Sequence, residues 1–193
     1  MSWNIRGINK AGRTSNIRNP IKNYDVGMCF LLETKMLVSL AGRWPKRLGF
    51  YSSFVINEID GKSHIMLLWN PNICIVDIIN VHDQAITAEV SRPSTGVSFI
   101  ITGVYGRNST AEREVLWDYL QNIKLSIVRS WLMLGDFNAI LDWLNELGGR
   151  NAISPDSESF AKMLVDCALV DLGSSRGWFS WSNSSSRSRC IRE

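Results

Sequence analysis

Runs of apolar residues separated by turn-forming residues fill the first half of the chain. Residues 26–32 form a continuous apolar run that ends in the polar residues Glu33, Thr34 and Lys35. This pattern is typical of a strand that is buried on both faces and has a polar exit. The next runs are separated by short turn signals, and their spacing predicts an antiparallel meander. Its predicted strands span residues 50–56, 63–69, 73–81, 85–91 and 97–104, with turns at 60–61, 70–72 and 92–96.

Three segments carry apolar residues at the three- and four-residue spacing of a helix. Residues 14–24 have Thr14 or Ser15 as a candidate N-cap, but Pro20 lies inside the segment. Because an interior proline costs about 3 kcal/mol and one backbone hydrogen bond, this helix is expected to kink or to start late. The second helix, residues 111–127, is predicted to bury Val115, Leu116, Tyr119, Leu120 and Ile123. The third, residues 156–168 with a cap near Ser154-Pro155, is predicted to bury Phe160, Met163, Leu164 and Cys167.

Short strands are also predicted at residues 3–5, 130–134 and 178–181. Strands therefore outnumber helices, and most are joined by hairpin-like turns, with helices between the outer pairs. This order favours an α/β sandwich in which two sheets pack face to face with helices outside. A chain of 193 residues is long enough for one such core, so we expect one domain over residues 1–193.

Polar side chains follow four of the predicted strands. They are Asn4, Glu33, Tyr105 and the pair Asp136 and Asn138. In a layered sheet fold, strand exits at one edge converge on one pocket even when they are far apart in sequence. Each residue also has a structural explanation. Asn4, Asp136 and Asn138 are typical turn formers, Glu33 suits the start of a helix, and Tyr105 suits a half-buried strand position.

A pocket lined by these groups has the chemistry that phosphodiester hydrolysis needs. That reaction uses a divalent cation, a group that orients the attacking water, and donors for the non-bridging oxygens. Glu33 is a hard oxygen ligand that suits Mg²⁺, and Asp136 is a candidate to orient or deprotonate water. Asn4 and Asn138 are candidate donors to phosphate, and Tyr105 is a candidate contact for a phosphate oxygen.

Charge and cysteine content narrow the partners and the compartment. The net charge is +3, but residues 1–50 carry nine Lys/Arg against two acidic residues, which suits either a polyanion partner or a solvated basic face. The four cysteines are widely spaced, without a Cys-x-x-Cys pair or a His cluster, as expected for free thiols in a reducing compartment. No apolar stretch approaches the roughly 18 residues of a membrane span, and the start lacks a signal-peptide core. We therefore expect an intracellular chain that is not inserted in a membrane.

Five short motifs occur in an order that resembles one family. They are SWNIRG at 2–7, LLETK at 31–35, GVYG at 103–106, LGDFN at 134–138 and WFSWSN at 178–183. The order is similar to that of the endonuclease/exonuclease/phosphatase superfamily. More narrowly, essentially the whole chain resembles the apurinic-like endonuclease domain of plant LINE-type non-LTR retrotransposons.

The resemblance implies a fold, a reaction and roles for individual residues. The implied fold is a four-layered α/β sandwich, and the implied reaction is cleavage of DNA phosphodiesters by a Mg²⁺-activated water, with Mn²⁺ as an alternative ion. The implied roles are metal ligand for Glu33, placement of metal or phosphate for Asn4, contact with the scissile phosphate for Tyr105, orientation or activation of water for Asp136, phosphate binding for Asn138, and substrate binding for Arg6 and Ser180. The match at Ser180 is looser, because relatives usually have Thr there.

The chain also departs from the family pattern. Relatives continue past Glu193 into a Leu-Asp-Arg segment and then a Ser-Asp-His motif, which add a carboxylate, a histidine and strands of the second sheet. The domain is therefore expected to be incomplete at its C-terminus and inactive or impaired as a nuclease, with an apolar face and a sheet edge uncovered. Gly27 stands where relatives usually have Asp, and Arg107 where they have Pro, which suggests drift. The two histidines, His64 and His82, are expected to be exposed or to line turns.

The leading hypothesis is a metal-dependent DNA endonuclease domain of a retrotransposon, which would act in the nucleus if the element is functional. One alternative is a phosphatase of the same superfamily that acts on phospholipid or inositol phosphate headgroups. The other is a non-catalytic nucleic-acid-binding remnant that uses the basic loops around Arg6, Lys10, Arg13 and Arg18. DNA is the expected partner in the first case, and nucleic acid in the last.

Overall fold

A computed structural model describes residues 1–10, 12–56, 60–141 and 155–173. The chain divides into two compact units. The first unit comprises Met1–Arg107 and Ile127–Phe137, and the second comprises Asn108–Ser126 and Asn138–Glu193.

The first unit contains two four-stranded sheets. Sheet A has the strand order β1-β2-β4-β3, with β1 (Ser2–Asn4), β2 (Met28–Leu37), β3 (Ser52–Val55) and β4 (Lys62–Trp69). Sheet B has the order β5-β6-β7-β8, with β5 (Ile75–His82), β6 (Ala85–Arg92), β7 (Val97–Tyr105) and β8 (Trp131–Asp136). The outer pairs β1–β2 and β7–β8 are parallel and the other pairs are antiparallel, so both sheets are mixed.

The predicted single meander is wrong, because the chain changes sheet after β4. Strand β4 already pairs with β2 on one side and β3 on the other, so no edge of β4 is left for β5. The turn at 70–72 is a compact loop in which the N–H groups of Ile73 and Cys74 donate to the carbonyl of Asn70 at 2.9 and 3.1 Å. It carries the chain from sheet A to sheet B and does not close a hairpin.

Strand β2 is buried on both faces, as its apolar run predicts. Phe30 and Leu32 belong to the core between the two sheets, whereas Cys29 and Leu31 belong to the core on the outer side of sheet A. Burial of each large apolar side chain stabilises the fold by about 1.5–3 kcal/mol. The two sheets approach closely at Gly103, where a Cβ atom would lie 2.2 Å from the Phe30 ring.

Two helices and a 3-10 helix cover the outer side of sheet A. Helix α1 spans Arg13–Asn23, the 3-10 helix spans Val38–Arg43, and α2 spans Trp44–Leu48. Ile17 and Ile21 of α1 share one apolar core with Trp44 and Leu48 of α2. This burial explains why α1 tolerates Pro20 in its interior.

The start of α1 differs from the prediction. The helix begins at Arg13 behind Gly12, whose φ of 72° is left-handed, and no side chain caps it. The predicted late start and the caps at Thr14 or Ser15 are therefore wrong, because glycine supplies the turn into the helix instead.

The second unit contains α3 (Thr110–Lys124) and α4 (Pro155–Asp166), which pack on each other. Trp117 contacts Phe160 with ring centroids 5.1 Å apart. The predicted buried face of α3 is wrong in part, because Val115 is 57% exposed and Arg113 and Trp117 are buried instead. The face is rotated because Trp117 stacks on α4 and Arg113 pairs with an α4 carboxylate. Phe160 and Met163 of α4, and Cys167 just after it, are buried as predicted, whereas Leu164 is only half-buried.

The predicted fold class is confirmed, since two packed mixed sheets are combined with flanking helices in an α/β sandwich. The predicted strand 178–181 and the cap at Ser154 lie outside the described residues. Among the helices that the structure describes, none is long and apolar enough to span a membrane.

Candidate functional site

Asn4 and Asp136, the last residues of two edge strands, meet at one end of the first unit. The Asn4 Nδ2 atom donates a hydrogen bond of 2.6 Å to Asp136 Oδ2, across 132 positions of sequence. Strands β1 and β8 are each parallel to their neighbour in the sheet. The contact therefore joins the carboxyl ends of strands from both sheets, which is where the polar exits were expected to converge.

Glu33 lies within β2, at a bulge, and not at the strand exit that the sequence predicts. The pairing of β2 with β4 shifts between Leu32 and Met36, and both Glu33 and Lys35 have left-handed φ values of 52° and 50°. The loop after β1 holds this bulge, because the Gly7 N–H donates to the carbonyl of Glu33 at 2.8 Å. A bulge redirects side chains, and here it presents the carboxylate beside Asn4.

The Asn4 amide lies beside two carboxylates, because it donates to Asp136 and is also close enough to Glu33 to lower the pKa of that carboxyl. Lys35 Nζ lies 2.7 Å from Glu33 Oε1, and the Glu33 side chain is 17% exposed. Burial raises the pKa of Glu33, but the hydrogen bonds from Lys35 and Asn4 and the charges of Lys35 and Arg6 outweigh it. The pKa of Glu33 is therefore below its ordinary value, and the carboxylate is ionised at neutral pH.

Arg6 completes the cluster on the loop after β1. Its backbone N–H donates to Asn4 Oδ1 at 3.2 Å, and its φ of 49° is left-handed. The Arg6 side chain is exposed, and its charge contributes to lowering the pKa of Glu33. Asn4, Arg6, Glu33 and Asp136 are thus brought together by the fold, as the motif order implies.

Tyr105 is the neighbour of Asp136 across the β7–β8 pair. The N–H of Gly106 donates to the carbonyl of Asp136 at 2.8 Å, so the pairing continues past Tyr105. This end of the sheet requires glycine, because a Cβ atom on Gly106 would lie 2.2 Å from the Phe137 carbonyl oxygen, and one on Gly135 would lie 2.0 Å from that of Val104. The close approach fixes Tyr105 beside the carboxylate cluster.

His64 is a site residue that the sequence did not reveal. Its ring stacks on that of Tyr105, with centroids 5.8 Å apart and planes inclined by 14°. The prediction that His64 is exposed or lines a turn is wrong, because it is half-buried within β4. No local signal identifies it, since the stack joins strands of different sheets.

His82 does line a turn, as predicted. The backbone N–H of Gln84 donates to His82 Nδ1 at 3.2 Å, and Asp83 Oδ1 lies 2.8 Å from the same nitrogen. Burial lowers the pKa of His82, the charge of Asp83 raises it, and the charge of Arg107 lowers it, so the net shift is downward. Arg107 also pairs with Asp83 at 3.8 Å.

Two other predicted site residues belong to other parts of the chain. Asn138 begins the second segment of the second unit, and it is exposed and has a left-handed φ of 49°. Ser180 lies outside the described residues. Their roles stay predictions from the motifs.

The donor set of the cluster fits a hard divalent cation. Within the described part of the chain, no group of three His, Cys, Asp or Glu side chains is arranged to hold a metal. Mg²⁺ needs only one or two carboxylates, because it keeps several of its waters. Glu33 and Asp136, which both lie beside Asn4, supply such oxygens. A cation at Glu33 would compete with the Lys35 ammonium group.

Comparison with known proteins identifies the family of the chain. A model of the endonuclease/exonuclease/phosphatase family matches residues 1–192. The endonuclease domain of TRAS1, a telomere-specific non-LTR retrotransposon, is similar over 99% of this chain and 81% of that chain, with 12% identity and a TM-score of 0.68. No curated protein matched the sequence.

Two other solved structures share the fold over part of this chain. The human nocturnin catalytic domain with bound sulfate is 19% identical over 72% of this chain and 62% of that chain, with a TM-score of 0.52. A D. rerio TDP2 humanised by 14 mutations is 21% identical over 72% of this chain and 65% of that chain, also with a TM-score of 0.52. The chain thus spans less than two thirds of these two proteins. Because the family model covers nearly the whole sequence and the fold agrees, the chain belongs to the endonuclease/exonuclease/phosphatase family.

Proposed function

We propose that the chain is a metal-dependent DNA endonuclease domain of the kind carried by LINE-type retrotransposons of plants. The observation that supports this most directly is the Asn4 side chain, which hydrogen-bonds to the Asp136 carboxylate across the ends of the two sheets and lies beside the Glu33 carboxylate. A pair of carboxylates beside a neutral amide is suited to a divalent cation, through which a phosphodiester could be held, and unsuited to an apolar ligand.

Each residue of the cluster has a proposed task. Glu33 would hold Mg²⁺, or Mn²⁺ as an alternative, and Asp136 would orient the attacking water and accept its proton. The bound cation supplies charge neutralisation at the phosphate. Asn4 keeps both carboxylates oriented, and the phenol O–H of Tyr105 donates a hydrogen bond to a phosphate oxygen. Arg6 is exposed beside the cluster and contacts the flanking DNA backbone.

Two further roles rest on the motifs alone. Asn138 is proposed to bind the phosphate and Ser180 to contact the substrate. The similarity to the TRAS1 endonuclease domain, over nearly the whole chain, favours DNA as the partner over a lipid or inositol phosphate. An endonuclease of this type acts where chromosomal DNA is, so we propose a nuclear site of action.

We further propose that cleavage by this chain is slow. Within the described residues the cluster supplies two carboxylates, and one of them is already paired with Lys35 at 2.7 Å. A cation must displace this ammonium group before it can bind Glu33. The cleavage rate should therefore keep rising with Mg²⁺ concentration well beyond the level that saturates a site without such competition.

Nicking of supercoiled plasmid DNA tests the proposal. Mg²⁺ and Mn²⁺ should each support conversion to the open circle, and EDTA should abolish it. Glu33→Gln and Asp136→Asn should each reduce the rate by at least about 100-fold, because each removes a charge from the reacting centre. Glu114→Gln, which neutralises an exposed carboxylate of α3, is the matched control and should leave the rate unchanged.

Other outcomes would favour the alternatives. Release of phosphate from an inositol phosphate or phospholipid headgroup without DNA nicking would support a phosphatase. Salt-sensitive DNA binding that needs no metal and survives Glu33→Ala and Asp136→Ala, without any cleavage, would support a non-catalytic remnant. Robust nicking at low Mg²⁺ would contradict the proposed slow cleavage while leaving the proposed reaction intact.

A further inference from the structure

The helical layer on the outer side of sheet A carries a concentrated positive charge. Helix α1, the 3-10 helix and α2 together contain no Asp or Glu. Their exposed cations are Arg18, Lys22, Arg43, Lys46 and Arg47. These five residues account for much of the basic excess of residues 1–50. In the remainder of the chain, acidic residues are at least as frequent as basic ones.

These cations are exposed on helices whose other faces are buried together. The opposite faces of α1 and α2 are fixed inward, because Ile17 and Trp44 are buried in the same core. The Arg47 guanidinium lies over the Trp44 ring, 5.6 Å from its centroid, which holds this cation at the surface. The charges are therefore displayed by a rigid scaffold and do not belong to a mobile tail.

The strand directions place the end of this layer away from the carboxylate cluster. Strands β1 and β2 are parallel and α1 connects them. Helix α1 therefore runs back from the end of sheet A that holds Asn4 towards the opposite end, where β2 starts. Strand β3 is also parallel to β2, since both are antiparallel to β4. The basic residues that precede the starts of β2 and β3 therefore lie towards the end of the sheet opposite Asn4. They are Lys22, Lys46 and Arg47.

Two exposed tyrosines lie at the same end of sheet A, where β2 and β3 start. Tyr24 follows α1 and is 75% exposed, and Tyr51 directly precedes β3 and is 72% exposed. The N–H of Tyr51 donates to the carbonyl of Trp69, and the N–H of Asn70 donates to the carbonyl of Gly27, so the starts of β2 and β3 flank the end of β4. The starts of β2 and β3 are two strand spacings apart, which is roughly 10 Å.

We propose that Lys22, Tyr24, Lys46, Arg47 and Tyr51 form a binding surface for single-stranded nucleic acid, separate from the cleavage site. Exposed aromatic rings beside cations are the elements with which proteins hold single strands, because bases stack on the rings and phosphates pair with the cations. An anionic membrane is a poorer partner, because α1 and α2 have buried their apolar faces in the core and have none left to insert. The proposal does not depend on the proposed cleavage.

Fluorescence anisotropy with a labelled oligothymidylate, and with a hairpin duplex of equal length, tests this surface. The background is the Glu33→Gln/Asp136→Asn chain, so that cleavage and metal binding do not contribute. The oligothymidylate should bind more tightly than the duplex. Tyr24→Ala/Tyr51→Ala should weaken its binding at least fivefold, since each stacked base contributes substantially. Tyr24→Phe/Tyr51→Phe should retain the binding, because the rings remain.

Charge removal gives the second arm of the test. The triple variant Lys22→Gln/Lys46→Gln/Arg47→Gln should make the slope of log binding constant against log salt concentration shallower by about two units. Each phosphate contact to a single strand contributes roughly 0.7 to this slope. Lys62→Gln/Arg92→Gln/Lys162→Gln removes the same net charge from exposed positions elsewhere and should change the slope much less. Equal effects of the two triple variants, or unchanged binding in the double alanine variant, would overturn the proposal.

Discussion

The imidazole of His64 lies nearly parallel to the phenol ring of Tyr105, with centroids 5.8 Å apart. His64 is on β4 of sheet A and Tyr105 ends β7 of sheet B, so the stack bridges the two sheets. Tyr105 is also the strand neighbour of Asp136. The imidazole therefore fixes the plane of the ring that we propose to contact the phosphate, and His64 acts as a positioning residue.

Replacing His64 should separate stacking from other effects of the imidazole. His64→Ala should slow plasmid nicking roughly twofold to tenfold, because an aromatic pair is worth about 0.5–1.5 kcal/mol. His64→Phe keeps a flat ring against Tyr105 and should restore most of the rate. Thermal unfolding of each variant shows whether stability changes in parallel. If the Phe variant is as slow as the Ala variant while both stay folded, stacking is not the cause.

Replacing a glycine where the ends of β7 and β8 approach closely should cost more stability than replacing a glycine with free space at its Cβ position. In Gly106→Ala the new Cβ atom would lie 2.2 Å from the backbone oxygen of Phe137, which cannot move without breaking the strand pairing. We expect a loss of about 1–3 kcal/mol or more in the free energy of unfolding, measured by urea denaturation. Gly42→Ala is the control, because nothing lies within 4 Å of its Cβ position, and it should be neutral or stabilising by about 0.4–1 kcal/mol. Equal costs at the two positions would contradict the close approach.

The sequence was sufficient to locate the polar ends of the strands. Asn4 and Asp136 lie at the ends of two short predicted strands, and strand exits at one edge of a layered fold converge, so their meeting could be anticipated from the pattern. The continuous apolar run before Glu33 likewise predicted a strand with two buried faces, because burial on both faces leaves no polar alternation.

The remaining features depend on contacts that no local pattern encodes. The bulge at Glu33 arises because the loop after β1 bonds to the backbone of β2, and a regular apolar run gives no sign of it. Asn70 directly follows β4 with an ordinary turn signal, yet the chain changes sheet there because both edges of β4 are occupied. His64 and the rotated face of α3 are set by a partner strand and a partner helix in the same way.

The depressed pKa of Glu33 gives the fold a specific response to acid. Burial opposes ionisation, but the Lys35 pair and the other donors outweigh it, so the folded pKa lies below the unfolded one. The unfolded chain then binds more protons as pH falls, and stability must fall with it. The contribution of Glu33 is fully present above the unfolded pKa and is lost as pH falls through the folded pKa.

Urea denaturation between about pH 6 and about pH 3 measures this contribution. The wild-type chain should lose more stability across this range than Glu33→Gln, whose side chain does not titrate. Lys35→Met should lie between them, because it removes the ammonium group 2.7 Å from the carboxylate but keeps the Asn4 hydrogen bond. Identical pH slopes for wild type and Glu33→Gln would show that Glu33 is not held in its ionised form.

A buried ion pair joins the two described helices of the second unit. Arg113 is 6% exposed, and it donates from Nε to Asp156 Oδ1 at 3.2 Å and from Nη2 to Asp156 Oδ2 at 2.6 Å. Its Nη2 also donates to Thr110 Oγ1 at 3.2 Å, so the guanidinium ties the starts of α3 and α4 together. Removing either charge alone leaves the other one partly buried without its counterion.

A double-mutant cycle distinguishes this buried pair from an ordinary surface pair. Arg113→Leu alone should cost about 3–5 kcal/mol of unfolding free energy, and Arg113→Leu/Asp156→Leu should cost less than the sum of the single changes, because both charges leave together. The exposed pair between Lys162 and Asp166 of α4 is the control, and its removal should have little effect because solvent screens it. Additive single changes at Arg113 and Asp156 would mean that the two helices are held by apolar contacts such as Trp117 with Phe160 instead.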